Sequence, residues 1–163
     1  MGGLKKLYTI ALKCGIIYNI VMVKYEIVLD TNVVFSALNS IRGASYKLLS
    51  LLGKGQFITH LSVPLVLEYE EKLKEKRQLL KLTSADIDDV IDYMCSVGIK
   101  HDQVNIFWRP CLSDPNDEMI LELAVHARVD YIVTHNIKDF KKIKGFRVKA
   151  ITPRDFLKVL QEE

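Results

Sequence analysis

Four acidic residues of this 163-residue chain fall where predicted strands end or predicted helices begin, and such a set could act on a phosphate. They are Asp30, Glu68, Asp117 and Asp139. Carboxylates gathered at one place repel one another, and a hard divalent cation such as Mg²⁺ relieves that repulsion. Such an ion activates water and neutralises charge on a phosphate during in-line attack. The spacing along the chain leaves open whether the four carboxylates converge.

Strands alternate with helices along the sequence, and this alternation predicts the architecture that would position the acids. Short apolar runs rich in β-branched residues predict strands at 26–29, 57–59, 104–107, 130–133 and 147–151. Apolar periodicity and capping residues predict helices at 45–53, from Ser62 to about Leu80, from Thr83 to about Gly98, from Asp114 to about Arg128, and from Pro153 onward. We therefore predict a three-layer α/β/α sandwich with a mainly parallel central sheet.

The predicted sheet places the acids at one edge, because functional groups collect at the carboxyl ends of parallel strands. Asp30 ends the first strand, Asp139 follows the fourth, and Glu68 lies one turn into the helix after the second. A simpler explanation exists for some of them, since Asp114 and Asp117 could serve only as helix caps. Asp30 is different, because it lies between two apolar segments, and a charge beside buried surface needs a partner.

The sequence from Tyr25 to the C-terminus resembles the PIN-domain family. Within that family it is most similar to the VapC-like ribonucleases, the toxin components of toxin–antitoxin systems. The resemblance is carried by four segments in order, at 27–33, at 62–73, at 113–124, and at 130–134 with Asn136 and Asp139.

The resemblance implies a PIN-like fold and a metal-dependent endoribonuclease that uses Mg²⁺ or Mn²⁺. It implies that Asp30, Glu68 and Asp117 hold the metal ion directly or through water. Asp139 would complete this cluster or position the attacking water, and Asn32 and Thr134 would orient the acids by hydrogen bonds. It further implies an RNA substrate, a cognate antitoxin protein and a homodimer in the cytoplasm, with no role for a membrane.

Two positions within the resemblance stay open. Many relatives carry an acid where this chain has Asn136, so the fourth acid is either missing or supplied by Asp139. Asp117 and Glu118 compete for the metal role. The register against Leu123-Ala124 favours Asp117, with Glu118 as a supporting residue.

A basic run that includes Lys138, Lys141 and Lys142 follows the predicted strand at 130–133. Beside the acidic edge it would hold RNA phosphates by charge, and the alternative is a solvated loop. The net charge of the chain is only +3. RNA binding therefore depends on a local patch rather than on a polybasic arm.

Two other enzyme classes and one non-enzymatic class compete with this hypothesis. A haloacid-dehalogenase-like phosphatase needs a second Asp two residues after the first, where this chain has Asn32. A receiver domain needs an acidic pair near the first strand and a phosphoacceptor Asp, and the sequence has neither pattern. A non-catalytic PIN module that binds RNA or protein is the remaining alternative, against which the retained acids argue.

The first 24 residues are interpreted as an N-terminal extension that precedes a PIN-like domain at 25–163. Lys5 and Lys6 precede an apolar stretch, 7–23, which resembles a weak signal peptide without a clear cleavage site. The stretch is too polar and too short to predict a membrane span. We interpret Met22 as the natural start, and the rival interpretation is a real N-terminal helix.

The cysteines and histidines give no metal-binding or redox motif. Cys14, Cys95 and Cys111 are odd in number and widely spaced, which is typical of reduced thiols in a cytoplasmic protein. No two of the four histidines have the spacing of a zinc site.

Overall fold

The computed structural model describes residues 25–104 and 111–161. The predicted N-terminal extension and residues 105–107 of the predicted strand at 104–107 lie outside these ranges. No helix within them has both the length and the apolarity to cross a membrane.

Five parallel strands form the central sheet, in the spatial order β3-β2-β1-β4-β5. They are β1 (Tyr25–Leu29), β2 (Phe57–Ser62), β3 (Ile99–His101), β4 (Tyr131–Val133) and β5 (Lys149–Ile151). The central strand β1 is apolar at Ile27, Val28 and Leu29, all of which are buried. A strand covered on both faces needs such a continuous apolar run.

Seven α-helices and one 3₁₀ helix accompany the sheet in the described residues. The α-helices are α1 (Thr31–Asn39), α2 (Ala44–Leu49), α3 (Val63–Glu75), α4 (Arg77–Leu80), α5 (Ser84–Val97), α6 (Pro115–His126) and α7 (Pro153–Gln161). The 3₁₀ helix is Lys141–Gly145.

The helices form layers on opposite faces of the sheet. Phe156 of α7 packs its ring against Tyr25 and Tyr131, while His126 of α6 packs against His101. His101 is in register with Ser62 and shares a face with His60, which contacts Glu26. Successive residues of a strand point to opposite faces. Helices α6 and α7 therefore cover opposite faces, which confirms the α/β/α prediction with an all-parallel sheet.

Several element boundaries differ from prediction for local reasons. The helix predicted from Ser62 to Leu80 is two helices, because Lys76 leaves helical geometry at φ −97° and ψ 10°. The helix that Asp114 caps ends at His126, before Arg128 adopts a left-handed φ of 56°. Helix α2 ends four residues before the predicted position 53, and β5 begins two residues after position 147.

Helix α1 and strand β3 were not predicted from the sequence, and neither was the 3₁₀ helix. Helix α1 contains the β-branched residues Thr31, Val33 and Val34, which have lower helix propensity, yet three of its apolar residues are fully buried. Strand β3 has only three residues, and Ile99 and Lys100 are exposed, so it carries no alternating pattern. Burial of apolar side chains outweighs local preference in α1, and pairing with β2 outweighs it in β3.

Candidate active site

Asp30 lies at the carboxyl end of β1 and is the N-cap of α1. Its side chain accepts hydrogen bonds from the backbone N–H of Asn32 at 3.2 Å, from Asn32 Nδ2 at 2.6 Å, and from Thr134 Oγ1 at 2.6 Å. The residue is only 5% exposed. Burial raises the pKa of Asp30, and the hydrogen bonds from Thr134 and Asn32 oppose this shift.

Thr134 connects the end of β4 to this carboxylate. Its hydroxyl donates to Asp30 and accepts from the backbone N–H of Asn136 at 2.9 Å. Asn32 makes a second connection between α1 and the segment after β4, because its Oδ1 accepts a hydrogen bond from the backbone N–H of His135 at 3.2 Å. These bonds fix the orientation of Asp30 against two adjacent parallel strand ends.

Helix α3 brings Glu68 to the same place. The neighbouring Tyr69 is buried and donates from its hydroxyl to the backbone carbonyl of Leu29, so α3 is anchored at the end of β1. Oε2 of Glu68 is buried and makes no hydrogen bond with the described residues. Burial raises the pKa of Glu68, and the charges of Asp30 and Asp114 raise it further, whereas the nearby Thr31 hydroxyl and the charge of Lys72 oppose the rise.

The first turn of α6 brings two more acids to this edge. Asp114 caps α6 by accepting from the backbone N–H of Asn116 at 2.8 Å. Asp117 lies one turn later, and burial raises its pKa to about 6, with further contributions from the charges of Asp30, Asp114, Asp139 and Glu68. Glu118 points elsewhere, since its carboxylate accepts from the backbone N–H groups of Cys111 and Leu112 at 3.2 Å and 2.6 Å.

These residues surround a cavity of about 290 Å³. Its lining comprises Asp30, Thr31, Asn32, Phe35, Glu68, Lys72, Lys76, Asp114, Asn116, Asp117, Ile120 and Asn136. The structure thus brings Asp30, Glu68 and Asp117 together. Asp139 is exposed and does not line the cavity, although its charge is close enough to raise the pKa of Asp117.

The predicted RNA-binding lysines lie outside the cavity lining. Lys138 and Lys141 are exposed, and neither contributes to the lining. The side chain of Lys142 lies outside the described part of the structure. Seven lining residues were absent from the sequence-based site prediction: Thr31, Phe35, Lys72, Lys76, Asp114, Asn116 and Ile120. Asp114 had been considered only as a helix cap. For the two lysines, the four-residue spacing from Glu68 was the available signal.

The carboxylates fit a hydrated divalent ion better than a fully protein-coordinated one. Across residues 25–104 and 111–161, no three His, Cys, Asp or Glu side chains are placed as joint direct ligands of one metal ion. Mg²⁺ keeps several waters and is commonly bound by one or two carboxylates. Oε2 of Glu68 is buried and unbonded, and Asp30, Glu68, Asp114 and Asp117 line one cavity, where a divalent ion would relieve their mutual repulsion. The donor set therefore fits Mg²⁺ or Mn²⁺.

A second polar cluster lies between β2, β3 and α6. Nδ1 of His60 is 2.8 Å from Nε2 of His101, and Nε2 of His60 is 3.1 Å from Oε2 of Glu26. The ring of His126 contacts His101 edge-on, with 5.3 Å between ring centroids. Tertiary structure joins three histidines that the sequence separates, which is why their spacing gave no signal.

A family model described as the PIN domain matches residues 26–138, which is more than half of the chain. The chain belongs to the PIN-domain family. The matched segment of this PIN domain includes Asp30, Glu68, Asp117 and Asn136 and ends one residue before Asp139.

One similar solved structure is the crystal structure of VapBC2 from Rickettsia felis bound to a DNA fragment from their promoter. The similarity has a TM-score of 0.53 and a sequence identity of 19%, and it covers 77% of this chain and 98% of that chain. At this identity, the likeness shows that the PIN domain shares the fold. No curated protein is significantly similar in sequence.

Proposed function

We propose that this PIN domain is a metal-dependent endoribonuclease that hydrolyses RNA phosphodiesters. The observation that carries the proposal is that Asp30, Glu68, Asp114 and Asp117 line the same cavity at the carboxyl edge of the parallel sheet. This edge is where α/β folds place their reactive groups. Four carboxylates that line one cavity of about 290 Å³ favour chemistry on a polyanion with the help of a divalent cation.

Three acids would bind the metal ion, and two polar residues would position one of those acids. Asp30, Glu68 and Asp117 would hold Mg²⁺ or Mn²⁺, directly or through water, and the ion would supply Lewis acidity toward water and phosphate. Thr134 and Asn32 keep Asp30 fixed through the hydrogen bonds described above.

Asn136 and Asp139 would act at the margin of the site. Asn136 lines the cavity and offers neutral amide donors to a phosphate oxygen. Asp139 would contribute by charge, because it affects the pKa of Asp117 without lining the cavity. The position where many relatives carry an acid is thus occupied by a neutral donor in this chain.

The family resemblance supports a toxin of a toxin–antitoxin pair, acting on cytoplasmic RNA with a cognate antitoxin as partner.

We also propose a homodimer formed through an apolar helix face. Light scattering at tens of micromolar tests it, and a monomer at that concentration would argue against the dimer.

The experiment that tests ribonuclease activity uses the full chain with structured and single-stranded RNA in Mg²⁺, in Mn²⁺ and in EDTA. We expect cleavage in both metals and none in EDTA. Asp117→Asn should lose cleavage, whereas the control Asp92→Asn, an exposed position on α5, should keep it.

Two results would overturn the proposal. Cleavage that persists unchanged in EDTA would exclude metal dependence. RNA binding without cleavage in any metal, together with no specific Mn²⁺ binding, would instead support a non-catalytic PIN module.

A further inference from the structure

A second cavity lies at the amino ends of β4 and β5, at the opposite edge of the sheet from the acidic cavity. Its volume is about 310 Å³, which falls at the lower end of the roughly 300–1,000 Å³ range of small-molecule sites. The two cavities share no lining residue, and Asp117 and Val125, which line one each, are about 12 Å apart along the axis of α6. We call the second cavity the arginine pocket, because Arg128 and Arg147 line it.

The two arginines supply positive charge that no nearby acid neutralises. Both are exposed, and neither side chain forms an ion pair or a hydrogen bond with the described residues. No lining residue of this pocket in the described structure is acidic. Asp130 is close in sequence, but its Oδ2 accepts from the backbone N–H of Glu26 at 3.0 Å, and it does not line the pocket. An anion in the pocket would therefore compete only with water for the guanidinium groups.

The backbone at Arg128 is held in a conformation that favours glycine. Its φ is 56°, and the backbone N–H of the next residue, Val129, donates to the carbonyl of Ala124 at 3.0 Å, which closes a Schellman motif at the end of α6. Residues other than glycine are strained there, and such strain clusters at functional sites. The backbone N–H of Arg128 also donates to the carbonyl of Val125 at 3.2 Å. These bonds occupy carbonyl groups of the last turn that would otherwise face an anion as free acceptors.

The remaining lining of the arginine pocket is apolar. Phe146 is half-buried and lies next to Arg147 in the chain, and Ala124, Val129 and Val148 are buried. An inorganic anion would leave this surface uncovered. A ligand with a flat apolar body would bury it and would stack against the aromatic ring.

The number of guanidinium groups favours one kind of anion. A carboxylate and a phosphodiester each carry one negative charge, whereas a phosphomonoester carries about 1.5 to 2 at pH 7. Arginine binds phosphate through two parallel N–H donors, so two arginines suit the oxygens of a terminal phosphate. A phosphomonoester therefore matches both the charge and the donors of this pocket.

We propose that the arginine pocket binds a phosphomonoester with a flat apolar body, of the class of the nucleoside monophosphates. Arg128 and Arg147 bind the phosphate, and Phe146 packs against the base. This site is separate from the candidate active site, so the proposal does not depend on the proposed ribonuclease function.

The test measures binding to the full chain by calorimetric titration in EDTA, which removes divalent ions that would draw a phosphate to the acidic cavity. The probes are adenosine 5′-monophosphate, adenosine, inorganic phosphate, and a dinucleoside phosphate whose one phosphate is a diester. The variants are R128G and R147Q.

The matched control is K81G. Lys81 is the other non-glycine residue with a positive φ, 57°, in the part of the chain that the structure describes, and it does not line the pocket. Both glycine substitutions remove one positive charge and relieve the same backbone strain, so both proteins should fold. Thermal melts verify this.

We expect R128G and R147Q each to weaken binding of the monophosphate about tenfold or more, because each removes charge-assisted hydrogen bonds. K81G should bind it like the wild type. Adenosine lacks the phosphate and inorganic phosphate lacks the apolar body, so each should bind about tenfold more weakly or worse. The dinucleoside phosphate should also bind more weakly than the monophosphate.

The proposal is overturned if the wild type does not bind the monophosphate at millimolar concentration, or if K81G weakens binding as much as R128G does. Inorganic phosphate that binds as tightly as the monophosphate would reduce the pocket to a general anion site. Equal binding of the dinucleoside phosphate would point to the interior of a nucleic-acid chain and would overturn the assignment of a monoester. None of these results bears on metal-dependent cleavage, so the ribonuclease proposal is tested separately.

Discussion

The hydroxyl of Thr134 lies 2.6 Å from Oδ2 of Asp30 and donates a hydrogen bond across adjacent strand ends. Both residues are buried, and Thr134 has no solvent exposure. The same hydroxyl accepts from the backbone N–H of Asn136, so it ties the orientation of the carboxylate to the turn after β4. Thr134 is thus placed to position Asp30 without lining the cavity itself.

We expect Thr134→Val to lower both stability and cleavage, and Thr134→Ser to restore most of each. Valine leaves a buried carboxylate without one donor and a backbone N–H without its acceptor, at a cost of about 1–3 kcal/mol. Thermal melts measure stability, and single-turnover rates measure cleavage. If the Val variant cleaved at the wild-type rate while melting lower, the role of Thr134 would be purely structural.

We expect Asp30→Asn to abolish cleavage yet to leave the metal-free protein as stable or slightly more stable. Like charges some 5 Å apart cost on the order of 3 kcal/mol before screening at an effective dielectric near 20. Removing one charge relieves part of that repulsion, and this offsets the loss of a hydrogen bond from Asn32, about 1 kcal/mol.

The same variant should also respond less to metal, because an ion stabilises the fold only by binding the folded state. Thermal melts in EDTA and in millimolar Mn²⁺ measure this, with Asp92→Asn as the control. A mutant that melts clearly lower in EDTA and still gains the full Mn²⁺ shift would remove Asp30 from the metal site.

The histidine pair makes stability sensitive to acid. Burial lowers the pKa of His60 and of His101, although Glu26 opposes this for His60 and Asp102 for His101. These two histidines therefore bind fewer protons in the folded state than in the unfolded state, where histidines titrate near 6.5. Their contribution to the free energy of unfolding is present above about pH 6.5 and is lost as the pH falls below that value. At 2.8 Å, only one proton fits between the two nitrogens.

The groups around this pair come from several elements. Glu26 of β1 and Asp102 after β3 are acidic, as is the buried Glu122 of α6, and His126 of α6 is the third histidine.

Replacement of His101 by Gln tests this acid sensitivity. The Gln amide can still donate to His60 but does not titrate, so we expect a smaller loss of unfolding free energy between pH 7 and pH 5.5 than in the wild type. The raised pKa values of the active-site carboxylates act in the opposite direction, since protonation relieves their repulsion. Both proteins share that contribution, so it cancels in the comparison. Equal acid losses would contradict the assignment.

We expect a chain that begins at Met22 to melt like the full chain. Strand β1 begins at Tyr25, which pairs in register with Phe57, so both chains contain the whole of the described sheet. Chemical denaturation of both proteins measures the difference. A loss of several kcal/mol, on the scale of removing a packed helix, would favour the rival interpretation of a structural N-terminal helix.

The sequence predicted elements that local pattern determines and missed those that tertiary contacts determine. Strand β1 and its terminal Asp30 were predictable, because an uninterrupted apolar run ending in an acid is a local signal. Helix α1 was not, because its β-branched residues are stabilised by burial rather than by propensity.

Candidate site residues were predictable where the parallel-sheet rule applied, as for Asp30 and Asp117. Asp114 was harder to assign, because the same residue is a helix cap and a lining acid. The pairing of His60 with His101 is set by the register of β2 with β3, which depends on a three-residue strand without pattern. Lys72 was also missed, because an exposed lysine on a helix looks like any solvated residue.

Helix α6 carries Asp117 in its first turn, while later turns supply the buried residues Ile120, Leu121 and Leu123. An ion bound by both Asp117 and Asp30 would therefore hold α6 against the end of β1. Ion binding and the packing of α6 on the sheet are then thermodynamically coupled, and this coupling is reciprocal. Any molecule that separates α6 from the sheet weakens ion binding, and the ion weakens that molecule by the same factor. An inhibitor of this kind would need no contact with the cavity, and amide hydrogen exchange along α6 would report the competition.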